Sequence, residues 1–292
     1  MIYFVHIIKW IKKFITFPVQ SFCLLINDLK KDYFQTLNSK FKLVIIIGLP
    51  KSGTTFIEEV MSQLGYVDIR VSPLRIFDSK KMYKNMYEHH TVSEEIFKLV
   101  PKKKYSFIKV HSHFEDKLLE IIKKYNLKVI ISKRSLVGAL ISRYCHILSD
   151  KNHRHFNEIS KLEPNEGFKK SLIFETKSGT TLRPIDYFYN WLKDWEYQIS
   201  LKKLDFLVLD YENLKDKKKY IQSIISYLGI KNYNLEKILK NIDKNHNKLK
   251  RNNLEKNFQS FLKPKTYNKD SLKIKNRLNM EEISEFVKKN IV

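Results

Sequence analysis

The segment Leu43–Met61, LVIIIGLPKSGTTFIEEVM, constrains the fold more than any other part of the chain. The aliphatic run Leu43–Ile47 is followed by a loop between Gly48 and Gly53, and a helical pattern begins at Thr54. An unbroken apolar run is typical of a parallel strand that is buried on both faces. Backbone amides at the start of the next helix lack helical partners and attract anions. The segment therefore predicts a strand, loop and helix that bind a phosphate or a sulfate.

The same alternation of strands and helices continues along the chain. Apolar strand patterns are found at Leu43–Ile47, Tyr105–Val110, Lys128–Ser132 and Phe206–Leu209. Helical periodicity is found at Thr54–Leu64, Phe114–Lys124, Leu136–Leu148, Ile185–Leu201 and Tyr220–Leu228. We therefore expect an α/β fold, a three-layer sandwich in which helices flank a central parallel sheet with a P-loop-like nucleotide-binding core.

The order of these patterns predicts one domain with an extension at each end. Residues 1–40 are predicted to form a basic and apolar helical extension. Residues 41–230 are predicted to form the α/β core, with a polar insertion or lid at about 149–183. Residues 231–292 are predicted to be a basic helical segment that completes the same domain, with a last helix at Met280–Lys289.

The composition favours anionic partners without identifying one. The net charge of +24, from 55 Lys and Arg against 31 Asp and Glu, suits nucleotides, acidic glycans, nucleic acid or membrane surfaces. A genome rich in A and T explains a chain rich in Lys, Asn and Ile equally well. The two cysteines, Cys23 and Cys145, do not indicate a disulfide framework, so we expect a reducing, cytoplasmic location.

Residues 1–26 are apolar but are interrupted by lysines, a proline and a glutamine. Their longest uncharged run is shorter than the roughly 18–20 apolar residues that a membrane-spanning helix needs. No small-residue cleavage site indicates a signal peptide. A basic helix with aromatic residues either lies on a membrane surface or packs on the protein body, so peripheral membrane contact is one of two expectations.

The loop differs from the ATP-binding Walker pattern, because Lys51 lies inside it instead of directly after its second glycine. Pro-Lys-Ser-Gly-Thr-Thr after an apolar strand resembles the 5′-phosphosulfate loop of sulfotransferases that use 3′-phosphoadenosine 5′-phosphosulfate (PAPS). This resemblance implies that the backbone and hydroxyls of Ser52–Thr55, including Thr55 itself, hold the 5′-phosphate. It also implies that Lys51 stabilises charge on the bridging oxygen.

A second anion site is predicted just after the strand Lys128–Ser132. Arg134 stands at the carboxyl end of that strand, where ligands gather in open α/β sheets. Ser142 follows about two helical turns later, so both side chains lie on one side of the helix. A guanidinium and a hydroxyl suit a terminal phosphate. The pair resembles the 3′-phosphate motif of sulfotransferases, although Ser135-Leu136 stands where that motif continues with Asn-Pro.

A candidate base follows the strand Tyr105–Val110. Alternation places Lys109, His111 and His113 on one side while the strand conformation lasts. Histidine suits the removal of a proton from a hydroxyl because its ordinary pKa lies near neutrality. Lys-x-His after this strand resembles the catalytic segment of sulfotransferases. The resemblance implies that His111 is the base and that Lys109 helps to neutralise the transferring group, with His113 as the alternative base.

Two aromatic residues complete the predicted nucleotide site. The segment FLVLDYENL resembles the strand and Tyr-Glu-Asp-Leu motif of sulfotransferases, which implies that Tyr211 contacts the adenine. Phe56 stands where many relatives have Trp or Phe, which implies stacking on the adenine, with ordinary helix packing as the alternative. The family's C-terminal Arg-x-Gly-x-x-Gly segment is not recognisable, and Lys263, Lys265 and Lys269 could replace it only by charge.

The resemblance spans roughly Leu43–Gly229 and implies transfer of a sulfuryl group from PAPS to a hydroxyl or amine acceptor. The acceptor is expected to be a glycan, a lipid or a small molecule, and no metal is required. Three alternatives stay open: a P-loop kinase or NTPase, a basic protein that binds nucleic acid or a membrane surface, and a relative that binds nucleotide without catalysis. No signature of a specific nucleic-acid interaction is found.

Overall fold

The computed structural model of the protein describes residues 39–68, 94, 97, 105–151, 153–173, 183–202, 204–248 and 273–291, without the side chains of 244–248. The predicted extension 1–40, including residues 1–26, lies outside the described residues except for 39 and 40. Lys263, Lys265 and Lys269 also lie outside them. None of the helices in the described part is both long enough and apolar enough to cross a membrane.

A five-stranded, all-parallel sheet forms the middle layer. Its strands are β1 (Leu43–Gly48), β2 (Val67–Asp68), β3 (Ser106–Val110), β4 (Lys128–Lys133) and β5 (Phe206–Asp210). They lie in the order β2-β3-β1-β4-β5. The chain passes from one side of β1 to the other between β3 and β4, so β1 lies beside the topological switch point, where open α/β sheets bind ligands.

Nine α-helices are described together with one 3₁₀ turn, Tyr211–Lys215. They are α1 (Thr54–Gln63), α2 (Asp116–Lys124), α3 (Leu136–Ser149), α4 (Phe156–Ile159), α5 (Pro164–Ile173), α6 (Pro184–Ser200), α7 (Lys217–Tyr227), α8 (Leu235–Lys248) and α9 (Met280–Asn290). Helices α1, α7 and α8 cover one face of the sheet, and residues of α2 to α6 and α9 cover the other. The predicted three-layer α/β sandwich is therefore confirmed.

The apolar run of β1 explains why this strand lies at the centre. Val44 and Ile46 are buried on the α1 face, and Ile45 and Ile47 are buried on the opposite face. Ile45 pairs with Ile108 of β3 on one side and with Val129 of β4 on the other. A strand with neighbours on both edges and helices on both faces needs apolar side chains at every position, because none of them reaches water.

Several elements differ from the sequence prediction. The strand β2 was not predicted, because two residues are too few to form a pattern. The polar insertion at about 149–183 contains helices α4 and α5, and Ile159, Phe168 and Leu172 are buried in the core. The described part of this insertion therefore packs on the domain instead of lying over it as a lid.

Ser39 fixes the chain just before β1. Its hydroxyl donates a hydrogen bond to the carbonyl of Leu228 at 2.9 Å and lies 2.8 Å from the hydroxyl of Tyr66. The Tyr66 hydroxyl donates to the carbonyl of Phe41 at 2.6 Å. These buried bonds connect the entry to β1 with the ends of α1 and α7, at the edge of the sheet where β1 begins.

Candidate active site

Four loops meet at the carboxyl edge of the sheet. The first runs from β1 to α1, and His111, Arg134 and Tyr211 each lie within a residue of the end of β3, β4 and β5 respectively. Two contacts join these loops: Arg134 Nη1 donates to the carbonyl of Lys51 at 3.1 Å, and His111 Nδ1 lies 2.5 Å from the carbonyl of Gly48. Parallel strands place their ends side by side, so residues that are far apart in sequence form one site.

The loop after β1 presents unused amides at the start of α1. Lys51 and Gly53 have positive φ angles of 70° and 86°, which turn the chain sharply into the helix. No side chain of the described residues caps α1. The first amides of a helix, here those around Thr54 and Thr55, have no carbonyl partner within it and attract an anion. Thr55 is exposed to solvent.

Both glycines of this loop are needed for close contacts. A Cβ atom at Gly48 would lie 2.0 Å from Thr54 Cγ2, and one at Gly53 would lie 2.7 Å from Tyr211 Cδ2. The left-handed conformation of Gly53 independently favours glycine, because a side chain there is strained. The loop is thus packed directly against Tyr211.

Ser52 supports the loop from below instead of lining it. This residue is completely buried, and its hydroxyl donates to Ser132 Oγ at 3.0 Å. Ser132 Oγ donates in turn to the Ser52 carbonyl at 2.7 Å, and the Ser52 amide donates to the Leu49 carbonyl at 3.1 Å. Both groups of Ser52 therefore have partners inside the protein, and their binding of the 5′-phosphate stays a prediction. Ser132, which the sequence analysis did not single out, is the residue that fixes this loop.

Lys51 lies in a strongly positive environment. Its pKa is lowered from 10.5 to about 8, chiefly by burial and then by the nearby charges of Lys109, Arg143 and Arg134. A buried ammonium is less stable than one in water, and like charges add to this cost. An anion at the loop would relieve both effects, which is the expected electrostatics of a site for a phosphate or a sulfate.

Arg134 is held between the loop and Tyr211. The guanidinium carbon lies 3.9 Å from the centre of the Tyr211 ring, a cation–π contact that fixes the plane of the guanidinium. Its Nε atom is buried and has no hydrogen-bond partner among the described residues. Ser142 is half-buried in the middle of α3. The stacking partner of Tyr211 in this structure is therefore Arg134, while contact of Tyr211 with an adenine stays a prediction.

The structure indicates which ring nitrogen of His111 carries a hydrogen. A carbonyl oxygen only accepts hydrogen bonds, so Nδ1 of His111 carries a hydrogen and donates a hydrogen bond to the Gly48 carbonyl. In the neutral ring, Nε2 is then the nitrogen without a proton, as a general base requires. The ring is half-buried, at the edge that also carries Lys51.

Helix α6 fixes the segment that carries His111. The Tyr187 hydroxyl donates to the His111 carbonyl at 2.6 Å, and Trp195 Nε1 donates to the Ser112 carbonyl at 3.0 Å. His113 is buried against the Tyr187 ring, with centres 4.5 Å apart, and its Nδ1 lies 3.5 Å from an oxygen of Asp194. His113 therefore has a packing role, and the aromatic residues of α6 position the neighbouring His111.

Two further predicted residues have other partners in the structure. The Lys109 ammonium lies 3.1 Å from an oxygen of Glu58 on α1, and both side chains are largely buried. Phe56 is buried in the core and packs edge-on against Tyr220, with ring centres 5.8 Å apart. Core packing explains Phe56 without a ligand, so the alternative that the sequence analysis left open is the one that the geometry favours.

Two places at this edge of the sheet offer hydrogen-bond donors to an anion. The amides at the start of α1 and the buried, unpartnered Nε of Arg134 are donors that the described chain leaves for an anion. Across the described ranges, no group of His, Cys, Asp and Glu side chains is arranged to bind a metal ion. That the activity requires no metal stays a prediction.

Comparisons with known proteins agree with this geometry. A family model described as a sulfotransferase domain matches residues 42–290. The crystal structure of mouse sulfotransferase SULT7A1 complexed with PAP has a TM-score of 0.53 and 17% identity, over 91% of this chain and 87% of that chain. Retinol dehydratase in a complex with retinol and PAP has a TM-score of 0.45 and 16% identity, over 85% of this chain and 81% of that chain. No curated protein gives a significant match.

The family model covers most of the chain, and its range includes all five strands and every predicted site residue. The mouse enzyme shares the fold. This chain therefore belongs to the family of PAPS-dependent sulfotransferases.

Proposed function

We propose that the protein transfers a sulfuryl group from PAPS to a hydroxyl or amine acceptor, with His111 as the general base. The observation that carries this proposal is the junction of three loops, in which Arg134 bonds to the Lys51 carbonyl and His111 bonds to the Gly48 carbonyl. Donors for two phosphates and a base with the required tautomer thus lie around one loop.

The donor is held at both ends. The amides at the start of α1, together with the hydroxyls of Thr54 and Thr55, bind the 5′-phosphate, with the helix dipole contributing positive charge. Arg134 and Ser142 bind the 3′-phosphate, and the unpartnered Nε of Arg134 supports this role. Tyr211 orients the Arg134 guanidinium by stacking on it and borders the adenine.

Transfer is a single displacement at sulfur. His111 Nε2 removes the proton of the acceptor while the acceptor oxygen or nitrogen forms a bond to sulfur. The bond from sulfur to the bridging oxygen breaks, and 3′-phosphoadenosine 5′-phosphate (PAP) leaves with that electron pair. Lys51 stabilises the charge that develops on the bridging oxygen. Positioning and fixed positive charge supply most of the rate enhancement.

The acceptor is a glycan, a lipid or a small molecule, and the group that is sulfated is a hydroxyl or an amine. A cytoplasmic location is part of the proposal, because two cysteines in 292 residues do not suit a disulfide framework. Peripheral membrane contact through residues 1–26 concerns a segment that lies outside the described residues.

The experiment compares the two neighbouring histidines. An acceptor screen with radiolabelled PAPS identifies a substrate, and His111→Ala is then expected to lower turnover by about 100-fold or more. PAP affinity, measured by calorimetry, should persist in this variant. His113→Asn is the control and should lower stability while turnover persists. Wild-type turnover in His111→Ala would remove this residue from the mechanism.

Calorimetry also separates the proposal from a P-loop kinase. The wild-type protein should bind PAP in the absence of magnesium and should bind ATP with magnesium much more weakly. The opposite preference would refute the sulfotransferase proposal and favour nucleoside triphosphate chemistry.

A further inference from the structure

Arg143 carries a positive charge that the described chain does not neutralise. It follows Ser142 on α3, and its Nη1 donates to the carbonyl of Ser171 on α5 at 2.6 Å. Within the described ranges, no carboxylate lies within 4.0 Å of this guanidinium. Burial lowers the pKa of Arg143 to about 10, with a further contribution from Arg154. The guanidinium is thus anchored by a neutral carbonyl, and the charge of Arg154 lies near it.

Three histidines lie near Arg143, and the first of them, His146, follows it by one helical turn on α3. The ring centres of His146 and His153 are 5.8 Å apart, and those of His153 and His155 are 5.6 Å apart. Burial lowers the pKa of His146 and of His153 to about 4, and Arg143 contributes to both shifts. These rings are therefore neutral at pH 7, and a neutral imidazole offers one N–H donor. They do not supply negative charge beside Arg143.

Arg143 directly follows Ser142, a predicted ligand of the 3′-phosphate, on α3. Arg143 is among the charges that lower the pKa of Lys51, and Lys51 is among those that lower the pKa of His146. Lys51 thus lies within electrostatic range of both residues on α3. The two phosphates of the donor already have partners in the proposed function, at the start of α1 and at Arg134. Arg143 is an additional cation on the side that α4 and α5 build.

We propose that Arg143 binds an anionic group on the acceptor, a carboxylate or a phosphate carried close to the hydroxyl that is sulfated. A half-buried cation without a counter-ion is costly, and an anionic ligand supplies that counter-ion. The planar guanidinium binds carboxylates and phosphates through two parallel hydrogen bonds. This inference rests on the proposed function and assigns its acceptor class.

Matched ligand pairs test the inference without knowledge of the natural acceptor. PAP-saturated protein is titrated by calorimetry with 4-hydroxybenzoate against 4-hydroxybenzamide, and with 4-hydroxyphenyl phosphate against its neutral dimethyl ester. The anionic member of a pair should bind at least about tenfold more tightly. Arg143→Gln should reduce that preference to about twofold or less, while Arg143→Lys, which keeps the charge without the fork, should retain an intermediate preference.

Lys240→Gln is the control for net charge, because Lys240 is exposed on α8, on the opposite face of the sheet. It should leave the preference unchanged. Equal affinities within both pairs, no detectable binding of either anion, or a preference that survives Arg143→Gln would overturn the inference. The carboxylate and phosphate pairs show which anion is selected. PAP titrations of the same preparations separate the two proposals, because a wild-type protein that does not bind PAP contradicts the proposed function instead.

Discussion

Replacement of Ser132 by alanine should loosen the nucleotide loop from beneath. Ser132 Oγ accepts from the Ser52 hydroxyl at 3.0 Å and donates to the Ser52 carbonyl at 2.7 Å, and both residues are completely buried. Each net hydrogen bond contributes about 0.5–1.5 kcal/mol, and an unsatisfied buried group costs about 1–3 kcal/mol. Ser132→Ala should therefore lower the free energy of unfolding by about 2 kcal/mol. If the loop is also displaced, PAP affinity should fall at least about tenfold.

The matched control is Ser171→Ala. Ser171 is also completely buried, and its hydroxyl donates to the Phe168 carbonyl at 2.7 Å, within α5 and away from the loop. This variant should lose about 1 kcal/mol of stability and keep its PAP affinity within about twofold. Urea unfolding measures the first quantity, and calorimetry measures the second. Wild-type PAP affinity in Ser132→Ala would show that the hydroxyl supports the core alone and does not position the loop.

Three further predictions concern the same loop. Arg134→Ala should weaken PAP binding by about 10–100-fold, since a charge-assisted hydrogen bond contributes about 1.5–3 kcal/mol, and unchanged affinity by calorimetry would contradict the 3′-phosphate role. Gly53→Ala should lower the free energy of unfolding by at least about 1–2 kcal/mol, because φ is +86° and the new Cβ meets Tyr211; an unchanged urea midpoint would show that the loop relaxes without cost. At pH 8 and above, PAP binding should take up a proton, because the pKa of Lys51 is lowered to about 8 and a nearby phosphate raises it. Calorimetry in buffers of different ionisation enthalpy detects this proton uptake. The variant Lys51→Met should abolish the uptake. Uptake that persists in Lys51→Met would assign the proton to another group.

The strands were predictable because burial on both faces leaves a plain signature. Leu43–Ile47 and Lys128–Ser132 were predicted within one residue of β1 and β4, since each contains an unbroken run of buried aliphatic residues. Helix α5 escaped prediction because its buried side includes Gly167 and Ser171, which leave the apolar stripe incomplete. A two-residue strand such as β2 has no pattern to detect.

Some site residues could be placed from the sequence, and others could be placed only from tertiary packing. His111 and Arg134 could be placed from sequence, because both immediately follow strands and parallel strands end at one edge. The role of Ser52 could not, since its partner Ser132 lies on another strand, 80 residues away. Lys109 likewise depends on Glu58, whose position across from β3 follows from the packing of α1. Partners that are brought together only by tertiary packing leave no local signal.

The anchor at Ser39 and the candidate active site lie at opposite edges of the sheet. The hydroxyl of Ser39 is bonded to the Leu228 carbonyl at the start of the parallel strands, whereas Lys51 and Arg134 lie where those strands finish. Ser39 is therefore on the side of the sheet away from Lys51 and Arg134. A surface or a partner bound at that side would leave the candidate active site accessible to acceptors from the surrounding solution.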